Sequence, residues 1–339
     1  MRTTPSLDWH WPNFPETLCG NMTDRERLGL PDHYVEGRLD QAIARAYQNH
    51  LGLQRYELLA HMESANNTLA ERIACGQLLA LLGDPRIEVD RPQMVLIPAA
   101  QARVGLKPED VDRVLQNFEG LGLNPTWIEK ECPQHTVHLR PYKLAKYPVT
   151  NAEYKTFLLE TGFAELPTSW DFRRYPQERS NHPVYTVSPH AADAYAAWLA
   201  KRTGRAFRLP TEAEWEWAAA GPALREFPWG AQFDADKCNT AETGLFTSTP
   251  VGVFTDGTSA FGISDMAGNV EEYVSDPYRA YPGGTFVQDH LVDIHGEYRV
   301  ARGGSFARFR DLARTKRRHG HNPKSATYAM GFRLAETIA

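Results

Sequence analysis

The 339-residue chain carries 42% apolar and 23% charged residues, 8 Trp, 14 Tyr and a formal net charge of −5. Such a balance describes a globular protein, long enough for one large domain with an added segment or for two domains. It argues against wholesale binding of nucleic acid or of an anionic membrane surface, so neither is expected as a partner.

The start, Met1-Arg2-Thr3-Thr4-Pro5, has no apolar run behind its charged residue. No later stretch reaches the roughly 18 apolar residues of a membrane span, so a cytoplasmic location is expected. Residues up to about 35 are rich in Pro, Asp and Trp without periodicity, which predicts an extended arm anchored by Trp9 and Trp11. Leu39, Ala42, Ile43, Ala46 and Tyr47 then recur at helical spacing. Thr68-Leu69-Ala70-Glu71 is a capping box for a helix ending at Gly83. Residues 1–90 are therefore read as an arm plus a helical segment, and 91–339 as a second domain. Cys19, Cys75, Cys132 and Cys238 form no Cys-x-x-Cys pair and are expected to be buried, reduced thiols.

Beyond Pro92 the pattern changes. Met94-Val95-Leu96-Ile97 is a short apolar run of strand type, and later apolar segments are brief and broken by Gly and Pro. Capping boxes at Thr150–Glu153 and Thr211–Glu214, and Ser188 before Pro189, predict two or three helices in this half. The middle one has a stripe of Ala191, Ala194, Tyr195, Trp198 and Leu199 and a natural stop at Gly204. A few helices on short strands make an α+β pattern.

Six motifs in this half stand in a fixed order. They are Tyr147-Pro-Val-Thr-Asn-Ala-Glu-Tyr154, Arg208-Leu-Pro-Thr-Glu-Ala-Glu-Trp215-Glu-Trp217-Ala218, Pro228-Trp229-Gly230, Asp265-Met-Ala-Gly-Asn-Val-Glu-Glu272, Arg302-Gly-Gly-Ser-Phe306 and Gly331-Phe-Arg-Leu334. Together they resemble the formylglycine-generating enzyme, or sulfatase-modifying factor, family. The resemblance runs from about Met94 to Leu334 and implies a C-type-lectin-like fold with little regular secondary structure, here with an N-terminal helical segment. Trp215, Trp217 and Trp229 are expected to pack in the core.

That resemblance also implies a structural calcium, held by Asp265, the Gly268 and Val270 carbonyls and Glu272. It implies copper(I) chemistry only where two cysteines follow the Gly-Gly-Ser motif. At those positions this sequence has Arg308 and Ala313, which cannot replace soft thiolates, so copper-dependent formylglycine formation is not expected. Ser305 is the residue of the family's oxygen-handling group that carries over. A second branch of the family, the iron-dependent sulfoxide synthases, holds iron with histidines of an N-terminal helical bundle. Here that segment offers His50 and His61, which in one continuous helix would stand about 16 Å apart.

Asp289, His290, Asp293, His295 and Glu297 fall within nine residues before the Gly-Gly motif, and His319 and His321 follow it. Imidazoles mixed with carboxylates suit non-haem iron(II), with His290, His295, Asp293, His319 and His321 as candidate ligands. Arg308, Arg310, Arg314, Lys316, Arg317, Arg318 and Lys324 face one acid, Asp311, over the same stretch. They predict either an anionic substrate gripped by Arg308 and Arg314, or ion pairs to Asp289, Asp293, Glu271 or Glu272. The expectation is an oxygen-dependent, metal-using oxidoreductase for a small anionic or amino-acid-derived molecule, with Ser305, Arg308 and Arg314 at the catalytic face. The alternative is a non-catalytic lectin-like module binding a small anionic or peptide ligand, like the variable proteins of diversity-generating retroelements.

Overall fold

Local capping signals set where the helices begin. In the computed structural model, which describes residues 37–320 and 328–338, α1 spans Asp40–His50, α2 Arg55–Glu63 and α3 Leu69–Leu82. Thr68 accepts the Glu71 N–H while Glu71 returns to the Thr68 N–H, as the capping box predicts, and Gly83 ends α3. Leu58, Met62, Ile73 and Leu79 of this unit share one cluster with Val253 and Phe254, so the helices and the larger body have a common core. Arg72 reinforces the contact by donating to the Val253 carbonyl. The predicted arm with Trp9, Trp11 and Cys19, together with His321 and Lys324, lies outside the described residues.

In the body, β1 (Met94–Ile97), β4 (Tyr142–Ala145), β9 (Ala335–Thr337) and β5 (Phe207–Arg208) form a four-stranded antiparallel sheet in that order. β2 (Ala100–Val104) pairs with β3 (His135–Leu139). Between the latter two run the short helices α4 (Val111–Asn117) and α5 (Pro125–Glu129). The third sheet has β6 (Glu271–Pro277) in the middle, antiparallel to β7 (Arg299–Arg302) and parallel to β8 (Met330–Phe332). The predicted helices appear as α6 (Asn151–Thr161), α7 (Pro189–Thr203) and α8 (Glu212–Ala220), each with the expected side-chain cap. Ala191, Tyr195 and Leu199 of α7 are buried against Tyr154, Phe157 and Phe332. Among the described residues, no helix is long and apolar enough to cross a membrane.

Trp215 is fully buried and Trp217 nearly so, as expected. Trp229 differs: it is half-buried and stacks on Phe227 with ring centroids 5.4 Å apart, because its indole N–H reaches the Gln232 carbonyl at the edge. Cys75, Cys132 and Cys238 are free thiols, and burial pushes Cys75 and Cys132 up to about 11. The helical segment breaks at residues 51–54 between α1 and α2, so His50 and His61 do not sit on one helix. Their rings meet edge to face at 4.9 Å, which corrects the separation expected from a continuous helix.

Candidate functional site

The third sheet brings three segments to one edge. Glu271 opens β6 and its N–H is bonded to the Ala329 carbonyl. His319 bridges Ala301 of β7 through both backbone groups, at 2.7 and 3.1 Å. Between Arg302 and His319 the chain doubles back through Gly303-Gly304. Gly304 has φ +68°, and a Cβ there would lie 2.9 Å from the Leu312 backbone, so this close turn requires glycine. Ser305 is buried at the turn, its carbonyl accepting the Arg308 N–H.

One buried carboxylate organises this edge. Glu271, 1% exposed, accepts from Nδ1 of His319 at 2.5 Å through Oε2 and from Nε of Arg308 at 3.3 Å through Oε1. Both partners reach solvent, Arg308 at 16% and His319 at 26% of side-chain area. The Arg308 guanidinium lies 4.6 Å from the Tyr328 ring centroid, and Phe306 packs edge to face on Tyr185 at 5.4 Å. Burial lowers the His319 pKa from its ordinary value, while Glu271 opposes the shift. From sequence, Glu271 is expected only as an ion-pair partner for the arginines, and no local signal marks Tyr185 or Tyr328.

The basic run is neutralised from within. Arg314 is fully buried, donates to both Glu131 oxygens at 2.9 Å and pairs with Glu226. Arg318 holds both Glu212 oxygens at 2.8 Å, Arg310 pairs with Glu242, and Arg317 with Asp311. Of the four acids expected as partners, only Glu271 serves as one among the described residues. Arg314 is thus part of the frame rather than a substrate contact.

The candidate iron ligands do not assemble from the described residues. Asp289 caps α9 (His290–His295) and pairs with the buried Lys130. Asp293 accepts from Gln288 on the surface, Glu297 pairs with Arg279, and His319 is committed to Glu271 through Nδ1. His295 is half-buried with Nε2 unpartnered. The His290 side chain and His321 lie outside the described residues. Among those described, no three His, Cys, Asp or Glu side chains are placed to hold a metal ion.

A guanidinium takes up the carboxylate expected to bind calcium. Arg333 donates to both Glu272 oxygens at 2.5 Å and to the carbonyls of Ala145, Ser264 and Asp265, and Trp215 adds its indole N–H to Glu272. The Gly268 N–H goes to Gly303, and a Cβ on Gly268 would lie 2.3 Å from the Asn239 carbonyl oxygen, so this loop is tightly closed. Val270 is buried beside it. Asp265 accepts the Gly252 N–H, and burial pushes its carboxyl up to about 6.

With its folded pKa above the ordinary aspartate value, Asp265 keeps a proton that the unfolded chain releases between about pH 4 and 6. Stability linked to it is therefore present at low pH and lost as pH rises through that window. Asp265→Asn retains the acceptor for Gly252 and is expected to flatten this slope, gaining on the order of 2 kcal/mol near pH 7. Urea unfolding at pH 4 and pH 7 checks this; parallel slopes for both proteins would refute it.

A sulfatase-modifying factor enzyme 1-like domain profile matches residues 83–338. The chain belongs to the sulfatase-modifying factor family. It is 33% identical over 248 residues to the hercynine oxygenase of Mycolicibacterium smegmatis, covering 62% of this chain and 56% of that one. It is 31% identical over 265 residues to the formylglycine-generating enzyme of Streptomyces coelicolor, covering 60% and 81%. The structure of PvdO from Pseudomonas aeruginosa superposes with a TM-score of 0.56 at 26% identity, covering 74% of this chain and 95% of that one. The fold is the C-type-lectin-like α+β fold expected of this family. The chain spans little more than half the length of the hercynine oxygenases.

Proposed function

We propose that this family member acts as an oxygenase on a small, amino-acid-derived substrate bound at the Glu271 edge. The observation that carries the reading is a single buried carboxylate holding two solvent-reaching groups, Arg308 and His319, beside the Gly303-Gly304 turn. Similarity to the hercynine oxygenases supports the reaction class. Arg308, its guanidinium 4.6 Å from the Tyr328 ring centroid, orients a substrate carboxylate, and Tyr185 and Phe306 supply an apolar wall. Oxygen chemistry draws on a redox group, and the proposed iron(II) finds no three-ligand set among the described residues.

The test is oxygen consumption by the purified chain, supplied with ferrous salt, against a panel of amino acids and their N-methylated and thiol derivatives. Substrate-dependent uptake is the predicted result. Arg308→Ala is expected to raise KM at least 10-fold while the fold survives, since Glu271 keeps His319 as a partner. Saturable substrate binding by calorimetry with no uptake would favour the lectin-like binding module instead.

A further inference from the structure

We infer that the cleft where α6 meets the end of the helical segment is a ligand site for a small organic monocarboxylate with an apolar body. Both units of the chain build it. Ala152, Lys155, Thr156 and Leu159 stand at helical spacing along one face of α6, while Tyr154 and Phe157 on the opposite side enter the core. Asp84 and Ile87, just beyond α3, supply the facing wall, and Tyr175, Ser180 and Asn181 complete the cleft. Its volume is about 400 Å³, within the roughly 300–1,000 Å³ of small-molecule pockets, which favour joints of this kind. The cleft shares no lining residue with the Glu271 edge and stands independently of the oxygenase reading.

Hydrogen bonds fix the walls in advance. Ser180 Oγ donates to the Ala80 carbonyl at 2.5 Å, and the Ala152 N–H donates to the Ser180 carbonyl at 2.9 Å. Asn181 Nδ2 donates to the Gly76 carbonyl at 3.0 Å and to Asp84 Oδ2 at 2.8 Å. Lys155 supplies the chemical signal. Its ammonium lies 4.2 Å from the Tyr175 ring centroid and makes no ion pair among the described residues. A ring face engages the ammonium from one side, and its three donors leave capacity for a carboxylate. The acids nearby are already compensated, Asp84 by Arg86 at 2.6 Å and Glu178 by Arg179 at 3.4 Å. One uncompensated positive charge matches a monoanion, whereas a phosphate dianion would bring excess negative charge toward Asp84. Leu159 is 76% exposed at the rim and Ile87 lies in the facing wall, so a hydrocarbon body would take apolar surface out of water.

The probes are 4-methylpentanoate and its neutral counterpart 4-methylpentanamide, titrated into the full chain by calorimetry. The acid is expected to bind saturably and the amide about 10-fold more weakly or worse. Lys155→Met is expected to weaken binding of the acid about 10-fold or more, Lys155→Arg to keep it within a few-fold, and Leu159→Ser to weaken it about 3-fold. Both side chains reach solvent, so the variants are expected to unfold in urea like wild type. A second readout needs no variant. Acetylation by N-hydroxysuccinimidyl acetate, followed by mass spectrometry, is expected to slow at Lys155 when the acid is present and to stay unchanged at the exposed Lys201. Absence of saturable binding, equal affinity for acid and amide, unchanged binding in Lys155→Met, or no protection of Lys155 overturns the site. Inorganic phosphate that binds more tightly than the acid, and loses its affinity in Lys155→Met, overturns the carboxylate class.

Discussion

Replacing Arg333 with methionine is expected to remove about 3–5 kcal/mol of folded stability, the range for deleting one member of a buried ion pair. The guanidinium is fully buried, and its loss leaves Glu272 with the Trp215 N–H as its remaining described partner. It also strips a donor from the Ala145, Ser264 and Asp265 carbonyls, which join the four-stranded sheet to the loop leading into β6. Pairing the change with Glu272→Gln is expected to recover part of the loss, because the stranded charge is then gone. Urea unfolding of the single and double variants reads both effects. Added calcium is expected to rescue neither, and full rescue of Arg333→Met by millimolar calcium would show that the site accepts a metal after all.

Arg314→Ala is the second large change, at about 3–5 kcal/mol by the same argument. Glu131 is already pushed up by burial, and Arg314 is the first of the groups that keep it charged. Without it a carboxyl with no solvent access must protonate or unfold its surroundings, and Glu226 loses its closest described partner as well. The contrast with Arg308 is the informative part. Both arginines follow the same Gly-Gly turn, but Arg314 is expected to govern stability and Arg308 substrate affinity. An Arg314→Ala protein that unfolds like wild type but binds substrate poorly would reverse that assignment.

The helices were legible because their signals are local. Thr68, Thr150 and Thr211 each sit three residues before the glutamate that completes the box, and Ser188 precedes a first-turn proline. Ordered motifs likewise revealed the family and its fold. Charge pairing was not legible, because the partners are remote in sequence: Arg314 with Glu131 is separated by 183 residues and Arg318 with Glu212 by 106. Sequence proximity misled in the opposite direction at Asp289–Glu297. These residues look like a ligand loop, yet they fold as a capped helix whose Asp289 is tied to Lys130. The site carboxylate was visible in the Asn-Val-Glu-Glu motif, but the two neighbouring glutamates point to different tasks. Glu272 joins Arg333 in the interior, whereas Glu271 joins Arg308 and His319 at the edge. Alternation along a strand separates them, and that becomes evident only when β6 is seen between β7 and β8.

The most direct test of the oxygenase account supplies isotopically labelled dioxygen to the purified chain with ferrous salt and the substrate panel, and follows products and water by mass spectrometry. Label entering a product with wild-type protein, and falling away in Arg308→Ala at subsaturating substrate, is the predicted result. A panel member that binds at the Arg308 edge yet leaves the label in dioxygen would contradict the account and make this chain a binding module.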